Sequence, residues 1–131
     1  MMTKSEIIFV FSLGGVCYGC CELLWRGYTH WTMLLLGGMC FLGLYAGEKR
    51  FSSLPMTVKC LAGGVYITSL ELVAGSIVNV AFGMNVWDYS AMPFNFYGQI
   101  CVGFFFVWVL LCIPALFLCR QIPLLFEDFL I

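Results

Sequence analysis

A chain of 131 residues in which 63% are apolar and only 10% charged is not an ordinary soluble domain, since such domains average about 45–50% apolar and about 25% charged. A core this short cannot hide so much apolar surface from water, and a mean hydropathy of +1.01 makes lipid the expected solvent. The net charge of −1, carried by few and separated residues, excludes the basic patch that nucleic-acid binding needs.

Four runs come close to the roughly 20 apolar residues that a membrane-crossing helix requires. They lie near 5–26, 31–48, 59–82 and 97–119, and predict one all-α domain: a polytopic four-helix transmembrane bundle with short connections. Lipid-exposed backbone must satisfy its own hydrogen bonds, which rules out open sheet. The first run could pass for a signal peptide, but no Ala-x-Ala-like cleavage site follows it and Glu22 and Arg26 interrupt its end. It is expected to be a permanent span.

Glu22 lies 18 residues, roughly 27 Å of helix, beyond Lys4, and so toward the outer surface. Arg26 follows one turn later, the favourable order for an ion pair, and a structural pair at the rim is expected. Gly15, Gly19, Glu22 and Arg26 form one stripe that points on toward His30 in the loop WRGYTHW. Small residues let helix backbones meet, and Gly15-x-x-x-Gly19 and, in the second run, Gly43-x-x-x-Gly47 are spaced for such contacts.

The third run repeats the first. Gly14, Gly15, Val16, Glu22 and Leu23 recur as Gly63, Gly64, Val65, Glu71 and Leu72, at a constant offset of 49 residues. Two spans intervene, so the copies would be a parallel repeat of helical hairpins; chance similarity is the other reading. Gly64, Thr68, Glu71, Gly75 and Asn79 share one stripe, so Glu71 is expected to face the bundle. It lies 12 residues, roughly 18 Å, beyond Lys59, nearer the midplane, with no basic residue within a turn. Arg26 reaches toward it, or Asn79, Thr68 or water bonds it, or it stays protonated. An acid at that depth costs several kcal/mol unless paired, hydrated or protonated, which makes Glu71 the first candidate for function and a hydrogen-bonded structural acid the bland alternative.

The loop GMNVWDYSAMPFNFYG carries Trp87, Tyr89, Phe94, Phe96 and Tyr97. An interfacial aromatic belt explains them. Asp88, Ser90, Pro93 and Asn95 also suit a specific turn. Such a turn could form a lid over an aromatic, weakly charged vestibule with Glu22, Arg26, His30 and Trp31. Pro114 is expected to kink the fourth run. Residues 120–131 read as a cytoplasmic tail lying on the inner leaflet through Leu124, Leu125, Phe126 and Phe129, too short to cross.

Lys4, Lys49, Arg50, Lys59 and Arg120 fall on one side of this topology and only Arg26 on the other, so the positive-inside rule places both termini in the cytoplasm. The eight cysteines fall almost entirely within the spans and read as packing residues. A single Cys17-x-x-Cys20 with one histidine outside the membrane does not make a metal site, and no disulfide or cofactor is expected.

ELLWRGYTHWTMLLLGG, ITSLELVAGSIVN and VWDYSAMPFNFYGQIC together resemble the small bacterial multipass membrane proteins grouped as the putative ABC-transporter permease (type IV) family, over roughly residues 14–112. The most specific stretch is Trp87, Asp88, Tyr89, Ser90, Pro93, Phe94, Asn95, Gly98, Gln99, Ile100 and Cys101. Glu22, Arg26, Gly27, Thr29, His30, Met33, Glu71 and Asn79 match elsewhere. The resemblance implies transport across the bacterial plasma membrane and adds Gln99 to the candidate binding residues. The sequence has no G-x-x-x-x-G-K-[ST] and hence no phosphate-cradling loop of its own. Transport would therefore need homo-oligomerisation, an ATPase or another membrane subunit, or an ATP-independent mode.

Two readings follow. In the first, a small transporter or channel holds a site between spans 1 and 3, with Glu71 as proton or cation acceptor and Glu22–Arg26 as outer gate. In the second, the chain is a non-catalytic scaffold or accessory subunit whose acids and glycines set helix register. An enzyme is not expected, because His30 and isolated serines assemble no catalytic group.

Overall fold

The computed structural model describes residues 2–129. Four helices dominate it: α1 (Lys4–Arg26), α2 (Trp31–Arg50), α3 (Met56–Gly75) and α4 (Val102–Phe129). Each, with α3 counted through its continuation to Ala81, is long and apolar enough to cross a membrane. The protein is a four-helix transmembrane bundle.

Local chemistry sets the helix ends. Thr3 caps α1 reciprocally: its hydroxyl accepts from the Glu6 N–H at 3.1 Å, and Glu6 Oε2 accepts from the Thr3 N–H at 2.8 Å. Gly27, at φ 79°, closes α1 in the left-handed region that a side chain would resist. His30 Nδ1 accepts from the Thr32 N–H at 3.3 Å and so caps α2.

Beyond Gly75, α3 widens into a π-helical turn, Ser76–Ala81. A two-residue hairpin, β1 (Asn95–Phe96) with β2 (Ile100–Cys101), then pairs Asn95 with Cys101 and Phe96 with Ile100. Because this hairpin occupies the residues up to 101, α4 begins at Val102, later than the expected start near 97. It continues unbroken through Pro114 and Pro123 to Phe129, so the described part of the expected tail is helical. Leu130, Ile131 and the side chain of Phe129 lie outside the described residues.

The bundle is two hairpins, α1–α2 and α3–α4, packed side by side. Each has its Gly-Gly pair at the seam. A Cβ on Gly15 would lie 2.8 Å from the Leu34 carbonyl of α2, and one on Gly63 would lie 2.6 Å from Cys112 Sγ of α4. Gly19 meets Leu34 as well, so Gly15-x-x-x-Gly19 is a true contact motif. The expectation for Gly43-x-x-x-Gly47 holds only in half: Gly43 faces the Tyr66 ring, whereas Gly47 meets nothing within 4 Å. The core between the hairpins contains Val10, Phe41, Leu44, Tyr45, Cys112, Leu116 and Ile122.

Candidate functional site

Glu71 sits on the inward face of α3, 3% exposed. Its two oxygens take different donors: the Tyr89 hydroxyl at 3.0 Å on Oε2 and the Trp108 indole N–H at 3.3 Å on Oε1. Neither donor is a cation, and neither belongs to the set expected from sequence. Arg26 pairs with Glu22 through its Nε and sends Nη1 to the Val86 carbonyl at 3.0 Å. Asn79 is bonded to Gln99 and Val86, and the hydroxyl of Thr68 is buried without a partner.

Tyr89 reaches Glu71 because the loop from Gly83 to Gly98 folds back over the bundle end. Asn79 Nδ2 donates to Gln99 Oε1 at 2.8 Å, and Asn79 Oδ1 accepts from the Val86 N–H at 2.7 Å. Trp87 Nε1 donates to the Gln99 carbonyl at 3.0 Å, and Gln99 Nε2 to the Tyr97 carbonyl at 2.9 Å. Gly75 makes room for this assembly, since a Cβ there would lie 2.5 Å from Gln99 Oε1 and 3.0 Å from Trp87 Cζ2. Asn95 ties the turn, donating to the Met92 carbonyl at 2.8 Å and accepting from the Gly98 N–H at 3.0 Å.

Electrostatics reinforce this arrangement. Burial, and then the neighbouring Glu71 carboxylate, push the Tyr89 phenol upward, so it remains a donor. Exposed Asp88 accepts from the Ser90 N–H at 2.9 Å, and that backbone bond holds its carboxyl below the ordinary value.

The structure thus brings Asn79, Trp87 and Gln99 together as a polar clasp above Glu71, with Asn95 in the turn beside it. Glu22 and Arg26 form the expected ion pair nearby. His30 is used as a helix cap, its ring 5.6 Å from that of Trp31, and Asp88 points to the surface.

The family model described as "Putative ABC-transporter type IV" matches residues 6–127. The chain belongs to this family. Neither a curated protein nor a solved structure matches it significantly. The family's description points to transport rather than catalysis, and the four helices place this member of the ABC-transporter type IV family in a bilayer.

Three aromatic neighbours of the acids were not read as such from sequence: Tyr18, Trp108, and Tyr89, which stood out only as a loop aromatic. Tyr18, one turn before Glu22, packs its ring 6.1 Å from Trp108 and stands beside both acids. Its i,i+4 spacing to Glu22 was a readable signal. The other two lie 18 and 37 residues from Glu71 in sequence, where spacing says nothing.

At the opposite end of this type IV family member, an ionic network also went unread. Lys59 Nζ, 5% exposed, lies 2.8 Å from Glu48 Oε2, and Arg120 Nε lies 3.0 Å from Glu48 Oε1. Lys49 pairs with Glu6 at 2.9 Å, and the Tyr45 hydroxyl donates to the same Glu6 oxygen at 2.7 Å. Opposite charges on either side of the short turn from Phe51 to Pro55 were the available clue to Glu48–Lys59. Among the described residues no group of His, Cys, Asp and Glu is arranged to hold a metal.

Proposed function

We propose that the protein is a small transporter or channel-like protein of the plasma membrane, with its site between α1 and α3 and closed over by the loop and α4. Glu71 is the proton or cation acceptor, and Glu22–Arg26 is the outer gate. Asn79, Trp87 and Gln99 hold the loop shut, and Asp88, Asn95 and His30 border its mouth.

One observation carries this reading. Among the described residues Glu6, Glu22 and Glu48 are buried and each has a basic partner, whereas Glu71 is buried without one. An acid at that depth held only by neutral donors has its charge or proton to exchange. One of those donors comes from a loop, so opening the loop exposes the carboxyl. The grouping of Lys49, Lys59 and Arg120 into one ionic end supports the orientation with both termini in the cytoplasm.

Glu71→Gln in liposomes tests the reading. The amide keeps an oxygen for Trp108 or Tyr89 and removes the titratable group, so pH-coupled flux is expected to vanish. Undiminished coupled flux removes Glu71 from the mechanism.

The family description favours a second reading, in which the chain is an accessory membrane subunit of a larger ABC-type complex, as a homo-oligomer or beside an ATPase. A stable partner on copurification, with no ligand-dependent thermal shift, selects it.

A further inference from the structure

Trp108 belongs to two environments at once. Its indole N–H holds Glu71, and its ring walls a cavity of about 270 Å³ bordered also by Tyr18, Cys21, Cys40, Phe41 and Ile67. Among the described residues, no charged side chain lines this cavity. Its size is near the lower end of small-molecule pockets, which run from about 300 to 1,000 Å³.

Aromatic rings lead into it from the loop. Tyr89 stacks on Phe104 at 4.8 Å and 16°, Phe104 lies 5.8 Å from Trp108, and Trp108 lies 6.1 Å from Tyr18. Glu71 is bonded to the first and third members of this row.

These features discriminate among substrates. An anion would find no basic side chain on the cavity wall and would lie near the carboxyl of Glu71 behind the Trp108 indole. A small inorganic cation would need several oxygen ligands, and the wall presents aromatic faces, aliphatic groups and thiols. A neutral apolar molecule would fit the wall but make no use of a Trp108 ring whose N–H is bonded to a carboxyl. An apolar body carrying one positive charge satisfies both parts, because ring faces attract cations most strongly where water is excluded.

We infer that the cavity takes a hydrophobic organic monocation, its charged end against the rings of Tyr18 and Trp108, with Glu71 behind the Trp108 indole, and its apolar body between α1, α2 and α4. This rests on the transport reading and gives the cavity beside that site its substrate class.

The test uses the full chain in lipid nanodiscs and two probes of the same shape: benzyltrimethylammonium and neopentylbenzene, its uncharged isostere. Tryptophan fluorescence reports binding, and Trp108→Phe identifies the responding indole. The cation is expected to saturate the site at a concentration at least about tenfold lower than the isostere. Glu71→Gln should erase that preference while leaving the isostere's binding in place. Tyr18→Leu should weaken the cation more than the isostere. Retained isostere binding also reports that each variant is folded.

Equal binding of the two probes overturns the substrate class and makes the cavity a site for neutral or acyl groups. Binding of neither probe overturns the substrate class as well. If Glu71-dependent proton flux persists in either case, the transport reading survives the loss. If that flux is also absent, both fall.

Discussion

At the end of the bundle where α1 and α3 begin, Glu6 and Glu48 are each matched by basic side chains, whereas Glu71 toward the other end is held by a phenol and an indole. Both arrangements satisfy buried carboxyls, and they differ in what their loss would do. A buried ion pair makes each charge depend on the other, so removing one leaves the other stranded. A carboxyl held by neutral donors loses only the difference between two hydrogen bonds when neutralised. The paired end therefore ties its charges to one another, and the proposed reading puts the change of charge at the Glu71 end.

The strongest way to break this comparison is to neutralise both ends and compare stabilities. Lys59→Met leaves Glu48 with the half-exposed Arg120 alone and is expected to cost about 3 kcal/mol in thermal or denaturant unfolding of the solubilised protein. Adding Glu48→Gln should recover much of that loss. Glu71→Gln should cost no more than about 1 kcal/mol. Equal losses at the two ends would erase the distinction.

Glycine substitutions sharpen the same contrast without touching a charge. A methyl on Gly75 drives into Gln99 and Trp87, so Gly75→Ala should cost about 1–3 kcal/mol and loosen the loop over Glu71. Gly47, at the paired end, has nothing within 4 Å of its would-be Cβ. Gly47→Ala should stabilise by about 0.5–1 kcal/mol, since alanine loses less backbone freedom in a helix. Unfolding midpoints of the two variants should move in opposite directions.

How legible these ends were from sequence follows from the range of the interactions. Apolar run lengths place four helices, and the stripe from Gly64 to Asn79 turns Glu71 inward, because both are properties of one helix. Glu22–Arg26 is a local i,i+4 pair and was equally readable. The partners of Glu71 were not, since Tyr89 arrives on a loop that reverses through Asn85, Phe94, Tyr97 and Gly98, all at positive φ. The ionic end was missed for a different reason. Lys49, Lys59 and Arg120 carried a topology signal, and their role as partners for Glu6 and Glu48 appears only once helix ends are brought together.

Tyr89→Phe probes the seal itself. The ring can keep its stack on Phe104, so only the hydroxyl bond to Glu71 is lost, at about 1–2 kcal/mol. The more telling readout is chemical. A hydrophobic carbodiimide should modify Glu71 several-fold faster in the variant, followed by mass spectrometry, while Glu6 and Glu48 stay protected by their cations. Unchanged labelling would mean that Tyr89 does not control access.

The smallest effect belongs to Asp88 at the loop surface, whose carboxylate accepts from the Ser90 N–H. That bond holds the folded-state carboxyl below its ordinary value of 3.8. A depressed folded value means that the unfolded chain takes up the proton first. The contribution to loop order is therefore fully present above pH 3.8 and is lost as pH falls through the lower folded value. Hydrogen exchange at the Ser90 amide should stay constant from neutral pH down to that point, after allowance for its intrinsic rate, and rise below it. Asp88→Asn keeps an acceptor oxygen and should remove the pH dependence with little change in exchange at pH 7. A loop that opens instead near neutral pH would show that Asp88 does not govern it, and would erase the line between the surface acid and the buried one.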